Sequence, residues 1–297
     1  MGRELALAMP TARAVFQEVD EALKQHLTRL VFEGPEADLT LTENAQPALM
    51  AVSMAVVRVL EEEGGRALGA MVKFVAGHSL GEYSALAATG ALTVSDAARL
   101  LRIRGVAMQR AVAVGEGAMA ALIGMDRDGA SEVAAEAAGD DVCALANDNA
   151  PGQVVISGHR VAVERATELA AQRGARRTIM LPVSAPFHCS LMAPAAEEME
   201  EALEMVSIAS PNVPLVANVT AAEESDPNTI RHHLVEQVTA MVRWRESVLH
   251  MRDSGIDALI ELGSGRTLTG INRRIDRDLS VSSAETPDEV EAVLKLL

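Results

Sequence analysis

Aromatic side chains are scarce in this sequence: its 297 residues hold four Phe, one Tyr and one Trp. A core built on stacked rings is therefore excluded. The apolar content, 49% of the chain, is mostly Ala, Val, Leu and Met, enough for a sizeable aliphatic core. Cysteine is nearly absent too. Cys143 and Cys189 cannot form a disulfide framework, and their spacing is not that of a metal site, so no metal is expected. Without a signal-peptide pattern, this points to a reducing cytoplasm. No run approaches the ~18 apolar residues that a membrane span needs. Positive charge is in deficit, 26 Lys and Arg against 42 Asp and Glu, for a formal net charge of −16. That balance argues against nucleic acid or an anionic membrane as partner. The basic pairs Arg176–Arg177 and Arg273–Arg274 are the candidate local patches for an acidic protein partner.

What is present is an alternation of helical and strand patterns. Pro10 and Thr11 open an amphipathic helix through Leu23. Asn44 reads as the cap of a long helix to Glu63, with Pro47 in its first turn and Gly64–Gly65 ending it. Val72 to Ala76 reads as a buried strand running into Gly77-His78-Ser79-Leu80-Gly81, after which a helix continues through Ala88. Another helix starts at Ser95 and Asp96. From Ala118 the order becomes strand (118–123), helix (127–138), strand (142–146), turn (147–152), strand (154–157), helix (161–173) and strand (177–182). This βαββαβ order is that of a ferredoxin-like unit, read as a small subdomain over 115–184 inserted between 1–114 and 185–297. Beyond it lie helices over 193–205, 229–238, 244–253 and 267–275, with strands over 214–217 and 257–261. The expected class is α/β, a parallel sheet with helices on both faces. Asn218-Val219-Thr220 matches a glycosylation acceptor that a cytoplasmic protein would not use.

Gly77-His78-Ser79-Leu80-Gly81 is G-x-S-x-G between a predicted strand and a predicted helix, the setting of a nucleophile elbow. The tight turn exposes the serine oxygen, the glycines remove side chains that would clash, and the Leu80 amide points where an oxyanion would form. A serine hydroxyl needs a base. Of the seven histidines, His188 stands out because it sits in the rigid loop Pro182-Val183-Ser184-Ala185-Pro186-Phe187-His188-Cys189. His78, beside the serine, is turned away from its oxygen. Arg102 and Arg104 are equal candidates, from composition, for a cation on the helix beside the elbow.

The segment from Gly77 through Glu82-Tyr83-Ser84-Ala85 closely resembles the active-site segment of malonyl-CoA:acyl carrier protein transacylases. Further segments match in order: Gln46-Pro47-Ala48-Leu49, Arg104-Gly105 with Met108-Gln109, Pro151 to Gly158, and Pro186-Phe187-His188-Cys189. So do Val242-Arg243-Trp244, Glu261-Leu262-Gly263 and Leu268-Thr269-Gly270. The resemblance covers essentially the whole chain. It implies an α/β-hydrolase-like large subdomain with a ferredoxin-like small one. Ser79 is implied as the nucleophile that becomes malonylated, and His188 as general base and then general acid. Arg104, rather than Arg102, is implied as the partner of the malonyl carboxylate, with Gln46, Met108 and Phe187 also at the substrate. The backbone carbonyl of Arg243 is implied to orient His188. Phe187 resembles the malonyl-type pattern of polyketide acyltransferases, and its bulk would disfavour a 2-methyl branch by about 1–3 kcal/mol. The implied partners are malonyl-CoA, as substrate, and an acyl carrier protein. No cofactor is implied, and a monomer is expected.

One departure stands out. Members of the family begin with a short apolar strand and a Gly-Gln-Gly-Ser-Gln turn that supplies a second oxyanion-hole amide, and Met1-Gly2 matches the residues just after it. The expectation is a start codon placed too late, the alternative a homologue with impaired catalysis that still holds a carrier protein. A smaller departure is Ser264, where the family often has proline. Two sibling readings stay open: a transferase serving a polyketide synthase or malonate decarboxylase, and a serine esterase. The esterase would need an acid between Ser79 and His188 in the sequence, and no such residue stands out.

Overall fold

The computed structural model describes residues 1–297. Its strands are β1 (Val75–Ala76), β2 (Gly117–Ile123), β3 (Cys143–Ala150), β4 (Gln153–His159), β5 (Arg177–Met180), β6 (Leu215–Val216), β7 (Glu223–Glu224), β8 (Ala258–Leu262) and β9 (Ser280–Ala284). β2 to β5 form one antiparallel sheet in the spatial order β3-β4-β2-β5. With helices Arg127–Ala138 and Arg160–Gln172 on it, this is the βαββαβ unit expected of the inserted segment. Its core is small and Ala-rich, with Leu122, Val133, Ile156 and Val163 at the centre. Small side chains let the two helices lie close to the sheet.

The remainder is an α/β layer in two pieces, parallel except for the antiparallel edge strand β7. β1 pairs with β6 in parallel, with the short β7 beyond it, and β8 pairs with β9 in parallel. Alternate residues go to opposite faces, as the period of two requires. Val75, Leu215, Ile260 and Leu262 face a large core built on helices Thr42–Gly64 and Val94–Ala111. Ala76, Val216 and Leu259 face Trp244, Val248 and Met251 of helix Trp244–Asp253 and Ile271 of helix Thr267–Ile275. β1 has a ladder partner only on its β6 side and β8 only on its β9 side. Val75, Ile260 and Leu262 are accordingly only half-buried. No helix is long and apolar enough to cross a membrane.

Several local expectations change. The long helix begins at Thr42, so Asn44 lies inside it rather than capping it, and Pro47 is past the first turn. A proline there leaves the carbonyl four residues back without its N–H partner. That carbonyl, of Glu43, accepts from Arg102 Nη1 at 3.1 Å. Arg102 thus has a structural task, which separates it from Arg104. The segment Asn147–Ala150 continues β3 instead of turning, and only Pro151 and Gly152 make the turn. The reason is a partner from outside the sheet. Asn147 bridges Val242, whose N–H donates to Ala146 O at 2.9 Å and whose carbonyl accepts from Asp148 N at 3.0 Å. Arg245 adds a two-pronged ion pair to the buried Asp148 carboxylate. These bonds tie the inserted unit to the larger one.

Candidate active site

β1 ends at the elbow. Ser79 has φ 53°, the left-handed region that a non-glycine residue enters only when its surroundings hold it there. Asn218 provides much of the hold. Its Oδ1 accepts from Ser79 N at 2.8 Å, and its Nδ2 donates to Gly77 O at 2.7 Å. A Cβ on Gly77 would sit 2.0 Å from the carbonyl group of Gly81, so the first glycine of the motif is a steric necessity. A Cβ on Gly81 would meet nothing, so the second glycine is not needed for clearance, contrary to the sequence reading. The Leu80 N–H makes no hydrogen bond within the protein and lies at the start of helix Gly81–Ala88, where an oxyanion donor belongs.

Ser79 and His188, 109 residues apart, meet: Oγ lies 2.8 Å from His188 Nε2. His188 also has positive φ, 59°, and is 4% exposed. Its Nδ1–H donates to a backbone carbonyl at 2.9 Å, which leaves Nε2 as the acceptor facing the serine. That carbonyl belongs to Gln237, not Arg243. The Arg243 carbonyl is used by Ser247, and its N–H by Asn218 O, as the chain enters helix Trp244–Asp253. The helix expected over 229–238 runs instead over Pro227–Glu236, and Gln237, at its C-terminal end, presents its carbonyl to the ring. Burial, and then the positive charge of Arg104, push His188 down to about 3. It is a neutral base throughout the physiological range. His78 is turned away, as expected, toward Asn149 Oδ1 at 2.9 Å and the Trp244 ring.

Arg104 is 2% exposed, with Nη2 3.0 Å from Ser79 Oγ. Its other acceptors are neutral amides: Gln46 Oε1 and Gln237 Oε1, each at 2.8 Å. No carboxylate lies within ion-pair distance, and its Nε has no partner. Met108 is buried against Gln46, and Phe187 packs at the junction of two cores beside the histidine. Sequence reasoning gives no site role to Glu82 or Gln237, and reads Asn218 only as part of an unused glycosylation pattern. Glu82 lies directly after the elbow, which was a usable signal. Asn218 and the Gln237 carbonyl carry no local signature. No cluster of His, Cys, Asp or Glu is gathered as a metal site would require.

Residues 1–285 match the model of the acyl transferase domain family. The malonyl CoA-acyl carrier protein transacylase of Bacillus subtilis is 43% identical over 298 residues, covering 100% of this chain and 92% of the relative. The chain belongs to the acyl transferase domain family and, within it, to the malonyl CoA-acyl carrier protein transacylases. The Escherichia coli relative of that name is 42% identical and covers 99% of this chain and 94% of its own. Among solved structures, the acyl-carrier-protein-S-malonyltransferase of Bartonella henselae superposes with TM-score 0.97 at 54% identity, covering 100% of this chain and 94% of that one. A malonyl-transacylase in complex with a type II PKS acyl-carrier protein superposes with TM-score 0.95 at 40% identity, covering 99% and 94%. The family's two-subdomain fold is therefore that of this chain.

Proposed function

We propose that this protein transfers a malonyl group from malonyl-CoA to the phosphopantetheine thiol of an acyl carrier protein, as its relatives are named for doing. The observation that carries the reading is Arg104: a buried guanidinium without a carboxylate partner, 3.0 Å from the candidate nucleophile. A planar fork of donors in that place matches an acyl group that ends in a carboxylate. An acetyl group would leave the charge unpaired, at a cost of up to several kcal/mol.

The steps follow from the geometry. His188 Nε2 takes the Ser79 hydroxyl proton as Oγ attacks the thioester carbonyl. The tetrahedral oxyanion meets the Leu80 N–H. The C–S bond breaks, and the CoA sulfur leaves with the proton from His188. The carrier thiol then gives its proton to His188, its sulfur attacks the malonyl-serine ester, and Ser79 Oγ recovers the proton. The malonyl carboxylate on Arg104 also offsets the charge that holds His188 low, so the imidazolium forms more readily with malonyl than with acetyl in place. A carbonyl behind the histidine, rather than an acid, speaks against the esterase reading.

The carrier is acidic, and a basic surface suits it. Arg177 pairs in register with Ile123, which pairs with Gln153, whose Oε1 accepts from Arg274 at 2.7 Å. Arg176, Arg177, Arg273 and Arg274 have no carboxylate partner, so this end of the molecule offers free positive charge on an otherwise acidic protein.

Arg104→Ala tests the reading. We expect malonyl transfer to fall about 10²-fold or more while acetyl transfer holds or rises. An unchanged ratio of the two rates would remove the basis for a dicarboxylic substrate.

A further inference from the structure

Glu82 is a buried carboxylate that the mechanism above leaves unused. It is 1% exposed and sits one turn beyond the serine. Its two oxygens look in different directions. Oε1 accepts from Asn218 N at 2.6 Å, at the residue that clamps the elbow. Oε2 accepts from Gln237 Nε2. Gln237 is fully buried and has all of its polar groups engaged. Its Nε2 also donates to Ser79 O at 3.0 Å, its Oε1 accepts from Arg104 Nη2 at 2.8 Å, and its backbone carbonyl holds His188. Arg104 can only donate, so the Gln237 oxygen must face it and the amide nitrogen must face Glu82. The direction of that amide is thus set from both sides, by the Arg104 donor in front and by the Ser79 and Glu82 oxygens behind, of which Glu82 is the only charged acceptor.

We infer that Glu82 is a positioning residue: through the Gln237 side chain it fixes the direction in which Arg104 meets the acyl group, and so sets the preference for a dicarboxylic acyl chain without touching substrate. This rests on the acyltransfer reading above. A donor in place of the carboxylate faces the Gln237 NH2 and pushes the amide out of this arrangement: turned over, it sets NH2 against the guanidinium and its oxygen against Ser79 O, and shifted aside, it draws its oxygen away from Arg104. Protonation does the same. Burial pushes the Glu82 carboxyl up to about 7, against the opposing pull of the Asn218 and Gln237 N–H groups and the Arg104 charge. The other titratable groups around it are Tyr83, which burial pushes up, and His188 across Gln237, which burial pushes down to about 3. Neither titrates near neutrality. Glu82 is ionised above its raised value and protonated below it, so selectivity is highest on the alkaline side of about 7 and falls as the pH drops.

Glu82→Gln is the sharpest probe. Its oxygen can still accept from Asn218 N, so the elbow contact survives while the contact to Gln237 changes sign. We expect the malonyl-to-acetyl ratio of acylation rates, measured with the two CoA esters, to drop about 10- to 100-fold, mostly through malonyl. The wild-type ratio should show an inflexion near neutral pH that the variant lacks. Gln237→Leu keeps the backbone carbonyl for His188 and removes the amide, so it tests the same link if Glu82→Gln folds poorly. The double variant should be no less selective than the single ones. An unchanged ratio in both single variants, equal loss for both acyl groups, or additive losses in the double variant would each overturn the proposal. A wild-type protein that takes no label from malonyl-CoA would instead overturn the acyltransfer reading itself.

Discussion

Residues 117–180 and the residues around them are built by different means. The inserted unit has four strands of four to eight residues in one antiparallel sheet, whose register slips only in β3 beside the junction, with two helices packed on an Ala-rich core. None of the reacting groups lies in it. The larger unit has parallel strands of only two to five residues, in two separate pieces, and it holds Ser79, Arg104, His188 and Gln237. A regular ladder commits its backbone groups to neighbours and leaves little freedom to aim side chains. The short strand β1 ends early and leaves the chain free to enter the left-handed region at Ser79, as the loop after β5 does at His188, each at a cost on the order of 1–3 kcal/mol. The surroundings then carry that cost: Asn218 holds one residue and Gln237 the other.

That contrast makes the elbow the most sensitive point. Gly77→Ala should be the most damaging change, since its Cβ would lie 2.0 Å from the Gly81 carbonyl group. We expect acylation to fall by about 10³-fold and stability by several kcal/mol. Gly81→Ala, in the same motif, should leave both within about 0.5 kcal/mol and a few-fold in rate. Acylation kinetics with urea denaturation measure the pair, and equal effects would contradict the steric account. A smaller effect is expected where the two units join. Asp148 is 1% exposed but its partner Arg245 is 29% exposed, so the pair is partly screened. Asp148→Asn should cost about 1–3 kcal/mol in urea denaturation while leaving the acylation rate within a few-fold, because all the reacting groups stand on one side of the junction. A loss of rate without a loss of stability would mean that the inserted unit takes part in the chemistry.

The same contrast explains what could be read from the sequence. The inserted unit was legible because its strands and helices are long enough for periods of two and 3.6 to show, and its βαββαβ order is the one observed. Helix Thr267–Ile275 was legible for the same reason. β9, Ser-Val-Ser-Ser-Ala, has too few apolar residues to alternate and was missed, although Thr286 and Glu289 form a readable capping box just beyond it. At the site, Ser79 was legible because glycine spacing and flanking elements fix an elbow locally. His188 was legible as a histidine in a proline-bounded loop, but its contact with Ser79 was not. The carbonyl that orients it belongs to Gln237 rather than Arg243, since a main-chain acceptor leaves no side-chain signature in a sequence. Composition alone leaves Arg104 and Arg102 equal and the resemblance favours Arg104; in the structure Arg102 serves the Glu43 carbonyl that Pro47 leaves free, while Arg104 reaches Ser79.

The central claim is a malonyl ester on Ser79, and intact-mass analysis after brief exposure to malonyl-CoA tests it most directly. The account predicts a single malonyl adduct on the wild-type protein that maps to the peptide holding Ser79 and is absent from Ser79→Ala. An adduct that persists in Ser79→Ala, or that maps to another residue, would contradict it.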